Sequence, residues 1–364
     1  MIDQNPPTRP LRVPGMDNVQ TAPSSATRVV ELDALRGLAA LAVVAFHYTT
    51  HYGNEVGHIG APPIPFAFGN YGVHLFFMFS GFVIFVTLGR PVAAMGFVVS
   101  RFSRLFPAYW VAILMSAAVV YSIGMPSQRV PWSDVIMDFT MIQQILGAQH
   151  LDGSYWTLQI ELFFYVQMLF WFMVRQLQHI RWIIVAWLVI AVACGIAEKV
   201  DYHLSYTLRE LLIVRHIPYF AIGILFYRIR SRPAGRRVDI GLIGLCLIAI
   251  AIAYKPIYAE VAMVCTTIFA LFAAGLLGGL RWAPFAFLGT ISYSLYLLHQ
   301  AIGFSLIWRL ENHGVSSGMA ALGAAVLVTA LAVALTFLVE RPAMRAIRRA
   351  WKSRHDVAVP ERAA

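Results

Sequence analysis

The chain contains 364 residues, of which 59% are hydrophobic or aromatic and only 13% are charged. Soluble globular proteins carry about twice that share of charged residues, so the composition excludes a soluble domain. The apolar residues form long blocks, such as 183–196, 238–253, 261–280 and 319–339, which match or approach the roughly 20 residues that cross a bilayer as a helix. The alternation of polar and apolar residues that marks a membrane barrel is missing. We therefore predict an all-α, polytopic membrane bundle.

The predicted elements begin with a disordered cytoplasmic tail over residues 1–28, because this segment is polar and contains several Pro and Ser residues. Residues 29–342 form the predicted membrane domain, and residues 343–364 form a basic cytoplasmic tail. Within the domain, the weakly amphipathic segment 132–147 is expected to lie in the membrane interface. The ten predicted membrane spans are 33–52, 70–89, 105–124, 156–174, 180–198, 212–229, 238–254, 258–279, 285–308 and 317–339.

The distribution of Lys and Arg predicts the orientation of these spans. If both termini are cytoplasmic, about three-quarters of the 28 Lys and Arg residues lie on the cytoplasmic side and six lie on the other. Such a bias is typical of membrane proteins and requires an even number of spans. The formal net charge of +10 is therefore attributed to basic residues that face anionic lipid headgroups, and not to a surface that binds nucleic acid.

The three cysteines, Cys194, Cys246 and Cys265, lie in separate apolar blocks. They have neither metal-ligand spacing nor the pattern of a disulfide framework, so we interpret them as small hydrophobic residues of helices. No cluster of ligand residues occurs elsewhere, and we expect no metal cofactor.

The first predicted span carries two ionisable residues, Arg36 and His47. Ionisable side chains within a span are costly and usually indicate function. Their separation corresponds to about 16 Å of helix rise and to almost three turns, so both lie on nearly the same face. Arg36 is expected near the cytoplasmic end and His47 toward the outer end. The alternative is that Arg36 extends to the interface and His47 is a satisfied core residue.

Glu161 is the ionisable residue of the fourth predicted span. Both Glu161 and His47 lie about five residues from the outer ends of their spans, so both are expected about 7 Å beneath the outer interface. A carboxylate and an imidazole at one depth in hydrocarbon are expected to pair. Glu161 would then hold the ring of His47, which suits His47 to act as a general base. A purely structural hydrogen bond between two helices is the alternative.

Further polar residues lie in or beside the second and third spans. Ser80 and Gly81 are typical of close helix packing, and His74 is a candidate for facing the same cavity as His47. Arg101 and Arg104 are three residues apart and share a helix face at the cytoplasmic side. Their planar guanidinium groups suit phosphate, although ordinary membrane anchors are the alternative.

The ninth predicted span contains a stripe of three polar residues, Tyr293, Tyr296 and His299. Because they are spaced by three residues, they line one face of the helix. Such a stripe is expected to face a wet cavity or the polar groups of another helix, and not lipid.

A series of short motifs runs through residues 31 to 342 in a fixed order. They are Asp33-x-x-Arg36-Gly37 followed by His47, Phe76-Phe-Met-Phe-Ser80-Gly81, Arg101-x-x-Arg104-x-x-Pro107-x-Tyr109, Trp156-Thr-Leu-x-x-Glu161-x-x-Phe164-Tyr165, Arg215-x-x-Pro218-Tyr-Phe-x-x-Gly223, Tyr293-x-x-Tyr296-Leu-x-His299 and Glu340-Arg341-Pro342. Each motif is short, but their order resembles that of the acyltransferase family 3 membrane proteins. Because Leu162 follows Glu161 in place of a second acid, the chain is most similar to the branch that modifies exopolysaccharides.

The resemblance implies a ten-helix bundle in the bacterial inner membrane that transfers an acyl group, most often acetyl, from cytoplasmic acyl-coenzyme A. The acceptor in such proteins is a hydroxyl of a polysaccharide, a glycan or a small molecule. The resemblance also implies that His47 is catalytic, with Arg36 as its partner at the donor end. The remaining candidates are assigned to donor binding (Arg101, Arg104, Arg36 and Ser80), to catalysis with His47 (Glu161) and to acceptor binding (Trp156, Tyr165, Tyr293, Tyr296, His299 and His74).

Two mechanisms remain open, direct attack assisted by His47 and a covalent acyl-histidine intermediate. A thioester is already activated, so neither mechanism needs a metal. Two other functions also remain open. One is a secondary transporter or flippase, in which buried ionisable residues relay protons. The other is a non-catalytic partner subunit of a polysaccharide synthase. The acceptor, the acyl chain and the oligomeric state are not predicted.

Overall fold

The computed structural model describes residues 30–89, 93–202, 204–231 and 234–356, and all regular structure in these ranges is helical. The prediction of an all-α fold is therefore confirmed. The predicted tail over residues 1–28 lies outside the described residues, as does the end of the basic tail from residue 357. The helices are α1 (Val30–Phe46), α2 (Tyr52–Glu55), α3 (Gly72–Leu88), α4 (Ala94–Ile123), α5 (Trp132–Asp138), α6 (Trp156–Met173), α7 (Ile180–Lys199), α8 (Tyr206–Leu211), α9 (Ile217–Ser231), α10 (Arg236–Ala253), α11 (Pro256–Ala273), α12 (Ala283–Asn312), α13 (Ser317–Leu335) and α14 (Arg341–Asp356).

Two wider, π-helical turns connect some of these helices directly. His47–His51 joins α1 to α2, and Thr336–Glu340 joins α13 to α14. A π-helical turn inserts an extra residue into the helix, and such turns frequently occur at functional sites. Tighter 3-10 turns lie at Ala67–Tyr71, Pro126–Gln128, Gly153–Tyr155, Leu177–His179 and Gly278–Arg281.

Each of the ten predicted spans overlaps one helix, but a helix does not by itself show that the chain crosses a membrane. Within the described ranges, five helices are long and apolar enough to cross a membrane by length and composition. Helix α9, with 15 residues, is shorter than the roughly 20 residues of a full span. Ten crossings with cytoplasmic termini therefore stay a prediction. The five helices are Ala67–Leu88, Ala94–Ile123, Leu177–Lys199, Pro256–Ala273 and Ser317–Arg354.

The structure differs from the predicted boundaries in two places. Helix α4 begins at Ala94, well before the predicted start at residue 105, so Arg101 and Arg104 lie inside the helix. The segment predicted as one interfacial helix over 132–147 is helical only as far as Asp138. It stops there because Met141 adopts a φ of 64°, which a continuing right-handed helix does not allow.

Glycine residues allow the helices that carry the site to approach closely. A Cβ atom on Gly81 of α3 would stand 2.1 Å from the carbonyl oxygen of Phe220 in α9. A Cβ atom on Gly37 of α1 would stand 2.5 Å from the backbone nitrogen of Gly289 in α12. Both distances are far below van der Waals contact, so only glycine fits. The predicted packing role of Gly81 is confirmed. This close contact between α3 and α9 also holds the backbone of α3 in place beside Ser80.

Candidate active site

His47 begins the π-helical turn after α1, and its ring packs against His299 of α12. Nδ1 of His47 lies 2.8 Å from the carbonyl oxygen of Val43 and 3.3 Å from Nε2 of His299. The two rings are nearly perpendicular, and their centroids are 4.7 Å apart. Nδ1 of His299 lies 2.6 Å from the carbonyl oxygen of Tyr296. The histidine pair therefore joins the first helix to the stripe of polar residues on α12.

The partners of the two rings assign their protons. A carbonyl oxygen only accepts hydrogen bonds, so Nδ1 of His47 and Nδ1 of His299 must both carry a proton. In a neutral ring the other nitrogen then holds a lone pair. Nε2 of His299 accepts from the Nδ1–H of His47, and Nε2 of His47 has its lone pair available. In this arrangement Nε2 is the nitrogen of His47 that can accept a further hydrogen bond.

The backbone of α12 around His299 is held by side chains from other parts of the chain. The hydroxyl of Tyr48 donates to the carbonyl oxygen of His299 at 2.7 Å. The carboxylate of Asp152 accepts from the backbone nitrogen of Ala301 at 2.8 Å. Burial raises the pKa of Asp152, which lies before α6, to about 6. These buried contacts fix the position of His299 and, through it, the ring of His47.

Glu161 of α6 has different partners from those predicted. It accepts a hydrogen bond from Oγ of Ser80 at 2.6 Å and another from the hydroxyl of Tyr165. The positive charge of Arg36 lies near enough to be attracted to the same carboxylate. In the described ranges no hydrogen bond joins Glu161 to His47. The predicted direct pairing of these two residues is therefore wrong.

The two residues fail to meet because they lie at different depths. Thr157 donates to the hydroxyl of Tyr296 at 2.8 Å. Glu161, one helical turn further along α6, lines a cavity of about 190 Å³ that Tyr293 reaches and Tyr296 does not. Tyr293 precedes His299 by six residues, or about 9 Å of helix rise. The prediction measured the depth of Glu161 from the first residue of α6, as if that residue lay at the surface. However, Ser154 and Tyr155, in the turn that precedes α6, are already buried. Helix α6 thus begins inside the protein.

Two adjoining cavities lie between α1, α3, α6 and α12. The smaller has a volume of about 40 Å³ and the larger about 190 Å³. They share Arg36, Ser80, Glu161 and Tyr293, which therefore form a common wall. The tyrosine cavity is the smaller one, lined by Arg36, Val73, Phe76, Phe77, Ser80, Thr157, Leu158, Glu161, Ser292, Tyr293 and Tyr296. The arginine cavity is the larger one, lined by Arg36, Phe79, Ser80, Val83, Ile84, Arg101, Arg104, Leu105, Glu161, Tyr165, Tyr293 and Arg348.

Arg104 is already paired with a carboxylate in the arginine cavity. Its guanidinium donates to Glu340, a buried residue that also accepts from Oγ of Ser294 at 2.9 Å. The same guanidinium lies over the ring of Tyr293, 5.6 Å from its centroid. The positive charge of Arg104 is therefore largely compensated before any ligand binds.

Arg101 has a different environment. Its guanidinium lies 5.7 Å from the ring centroid of Phe97 and 5.8 Å from that of Tyr165. It donates one hydrogen bond, at 3.3 Å, to Oγ of Ser100, and its buried Nε has no partner. No carboxylate in the described part of the chain pairs with Arg101, so no acidic side chain compensates its charge.

A third cavity, with a volume of about 790 Å³, lies away from His47. The ring of Trp156 lies 5.4 Å from that of His216 in this cleft, and the ring of His74 lies 4.5 Å from that of Tyr219. His74 thus lies here and not beside His47. The aromatic cleft is lined by His74, Gln144, Trp156, Ile160, Gly195, Glu198, Lys199, Tyr206, Glu210, Arg215, His216, Tyr219, Ala253, Tyr254, Lys255, Pro256 and Tyr258.

The structure brings most of the predicted residues together, but it also adds partners that the sequence did not identify. Glu340 pairs with Arg104, Thr157 bonds Tyr296, and Arg348 lines the arginine cavity. Glu340 could have been identified from the sequence, because it is an acidic residue at the end of the last predicted span. Arg348 could not, because it is one of several basic residues in the same segment. Among the described residues, no three His, Cys, Asp or Glu side chains converge as metal ligands.

Comparison with known proteins agrees with these features. Residues 29–341 match the profile of a family described as an acyltransferase domain. The chain is 24% identical to "Acyltransferase MdmB" of Streptomyces mycarofaciens over 367 residues, which is 90% of this chain and 94% of that protein. It is 32% identical to "Protein 2 in picA locus" of Rhizobium radiobacter over 108 residues, 28% of this chain and 51% of that protein. No solved structure matches. Because the profile match spans most of the chain, this protein belongs to the acyltransferase family 3 and is an acyltransferase.

Proposed function

We propose that this protein transfers an acetyl group from cytoplasmic acyl-coenzyme A to a hydroxyl group of an acceptor on the other side of the bacterial inner membrane. In this proposal ten helices cross the membrane with both termini in the cytoplasm, namely α1, α3, α4, α6, α7, α9, α10, α11, α12 and α13. The acceptor is a polysaccharide, a glycan or a hydroxylated small molecule. Membership of an acyltransferase family favours this activity over transport.

The observation that carries the proposal is the pair of contacts that Nδ1 of His47 makes with Val43 and His299. The Nδ1–H of His47 is held by these contacts, which leaves the lone pair of Nε2 for a substrate proton. A neutral histidine whose ring is fixed in this way can accept a substrate proton as a general base. His299 takes the orienting role that was predicted for Glu161.

In the proposed reaction the acceptor oxygen attacks the carbonyl carbon of the thioester while its proton passes to Nε2 of His47. The tetrahedral intermediate then collapses, and the carbon–sulfur bond breaks. His47 returns the proton to the departing thiolate, so the products are the acyl ester and free coenzyme A. Attack by Nε2 itself, through an acyl-histidine, is the other route.

The donor is proposed to enter through the arginine cavity. Arg101 offers an uncompensated charge to its phosphates. The tyrosine cavity, which shares a wall with the arginine cavity, extends as far as Tyr296, one helical turn before His299. Arg36 and Glu161 lie in that wall, where they can contact the flexible arm of the donor. Both residues thus act on the donor side of the reaction.

The acceptor is proposed to bind in the aromatic cleft, with its reactive hydroxyl extending toward His47. The route proposed for this hydroxyl passes Trp156 and Phe77, whose ring centroids lie 6.4 Å apart, into the tyrosine cavity. Trp156, Tyr206 and Tyr254 offer apolar ring faces there, and Glu198 and Glu210 offer carboxylate acceptors. Aromatic faces beside hydrogen-bonding groups suit a molecule with both hydroxyl groups and apolar patches, such as a sugar ring. A polysaccharide, as in the branch that the sequence resembles most, has this chemistry.

The proposal is tested with inverted membrane vesicles that contain the protein and its natural acceptors. Radiolabelled acetyl-coenzyme A is added, and the label that reaches the lipid and polysaccharide fractions is measured. We expect His47→Ala and His47→Gln to reduce this transfer by about a hundredfold or more. The matched control is His313→Gln, because His313 is exposed and bonded only near its own helix end. Normal turnover by a folded His47→Ala variant would contradict the proposed mechanism.

A further inference from the structure

The helix after the family match carries a residue into the arginine cavity. Helix α14, Arg341–Asp356, begins where the matched residues end and packs against α4. Arg348 of this helix is half-buried and lines the arginine cavity together with Arg36, Arg101 and Arg104. The segment predicted as a cytoplasmic tail thus forms part of the wall of this cavity.

Arg348 is held in place by neutral groups. Its Nε donates to Oγ of Ser103 at 3.2 Å, and its Nη2 donates to the carbonyl oxygen and to Oγ of Ser100 at 3.3 Å each. Ser100 also accepts from Arg101 at 3.3 Å. The two guanidinium groups therefore converge on one serine, and like charges so placed repel each other unless an anion lies between them.

The balance of charge in the arginine cavity points to a doubly charged anion. Arg104 is compensated by Glu340, and Arg36 lies near Glu161. Neither Arg101 nor Arg348 contacts a carboxylate anywhere in the described ranges. Two uncompensated guanidinium groups beside a cavity of about 190 Å³ match a phosphate or diphosphate, which each planar fork can bind with paired hydrogen bonds.

We propose that Arg348 and Arg101 together bind the phosphate groups of the acyl-coenzyme A donor, so that α14 forms one side of the donor site. This inference rests on the proposed function for the identity of the donor. The chemistry of the ligand, a phosphate ester, is shared with anionic lipid headgroups, and the test separates the two sources.

The test uses the full chain, purified in a neutral detergent and titrated with coenzyme A by calorimetry. We expect Arg348→Gln to weaken binding by about ten- to a hundredfold, because charge-assisted hydrogen bonds to phosphate are lost. Arg348→Lys keeps the charge but loses the planar fork, so its effect is intermediate. Arg349→Gln is the matched control, since it removes the same charge from the next, exposed position and is expected to change binding by less than about twofold.

Three results would overturn the inference. Equal binding by Arg348→Gln and Arg349→Gln would show that Arg348 does not contact the donor. If Arg348→Gln leaves coenzyme A binding unchanged but removes the thermal stabilisation given by phosphatidylglycerol nanodiscs, the ligand is a lipid headgroup. A wild-type chain that does not bind coenzyme A would refute the proposed donor itself, and the inference with it. Should Arg348→Gln fail to fold, the Arg348→Lys titration decides.

Discussion

Nε2 of His299 accepts a hydrogen bond from Nδ1 of His47 across 3.3 Å, and this contact replaces the carboxylate that was predicted beside His47. The orienting group is therefore a neutral imidazole and not an acid. It fixes the tautomer of His47 as a carboxylate would, but it gives little electrostatic stabilisation to the imidazolium that forms when His47 takes a proton. The proposed reaction depends on geometry more than on a buried ion pair.

The first prediction concerns His299. We expect His299→Gln to lower the turnover number about ten- to a hundredfold while the KM for the acyl donor changes little, because the substitution frees the ring of His47 without touching the arginine cavity. The measurement is the initial rate of transfer over a range of donor concentrations, with His313→Gln as the control. A rate equal to that of the wild type would show that His299 does not position the base.

The second prediction concerns Glu161, which bonds Ser80 and Tyr165 and not the histidine pair. We expect Glu161→Gln to lower turnover, since its carboxylate lies in the wall between the two cavities. It is not expected to move the acidic limb of the pH–rate profile, because His47 has no contact with Glu161 in the described structure. A shift of that limb by about one pH unit or more would show that Glu161 does interact with His47, as the sequence predicted.

Some of this site was predictable from local sequence, and some was not. The spacing of Tyr293, Tyr296 and His299 predicted their common face, because helical geometry depends only on separation along the chain. The pairing of Glu161 with His47 failed because it compared depths in two different helices. Such a comparison needs the true start of each helix, and a sequence window cannot show that the turn before α6 is buried.

The boundary of α4 was missed for a related reason. Arg101 and Arg104 were read as residues that precede a span, because charged residues usually lie outside the hydrocarbon. The helix instead continues through them from Ala94, and Glu340 compensates one of the two charges. That partner is distant in sequence, so no local pattern reveals it. The place of Arg348 in the arginine cavity is hidden for the same reason.

The third prediction concerns the crossing of α3 and α9. We expect Gly81→Ala to destabilise the protein by about 1–3 kcal/mol, because the new Cβ would stand 2.1 Å from the carbonyl oxygen of Phe220 and the helices must separate. Gly244→Ala in α10 is the control: nothing lies within 4 Å of the added Cβ, and alanine favours the helix by up to about 1 kcal/mol. Thermal unfolding in detergent measures both. Equal melting temperatures of the two variants would contradict the close crossing.

A buried acid outside the predicted spans makes stability depend on pH. Asp138, at the end of α5, accepts a hydrogen bond from the backbone nitrogen of Leu151 at 2.9 Å and lies 4.0 Å from His150. Burial raises the pKa of Asp138 from 3.8 to about 7, and burial lowers the pKa of His150 to about 4. The acid is thus held largely protonated below neutral pH, while the imidazole stays neutral.

The fourth prediction follows from the proton that Asp138 retains. Between about pH 4 and pH 7 the folded protein binds this proton and the unfolded chain has released it, so the contribution of Asp138 to stability falls as the pH rises. Asp138→Asn keeps an acceptor for Leu151 but never carries a charge. We therefore expect the melting temperature of this variant, relative to the wild type, to be higher at pH 8 than at pH 5, by about 2 °C for each kcal/mol involved. His150 also titrates, but it does so in both proteins and largely cancels in the difference. A difference in melting temperature that is the same at both pH values would mean that Asp138 is ionised in the folded protein throughout this range.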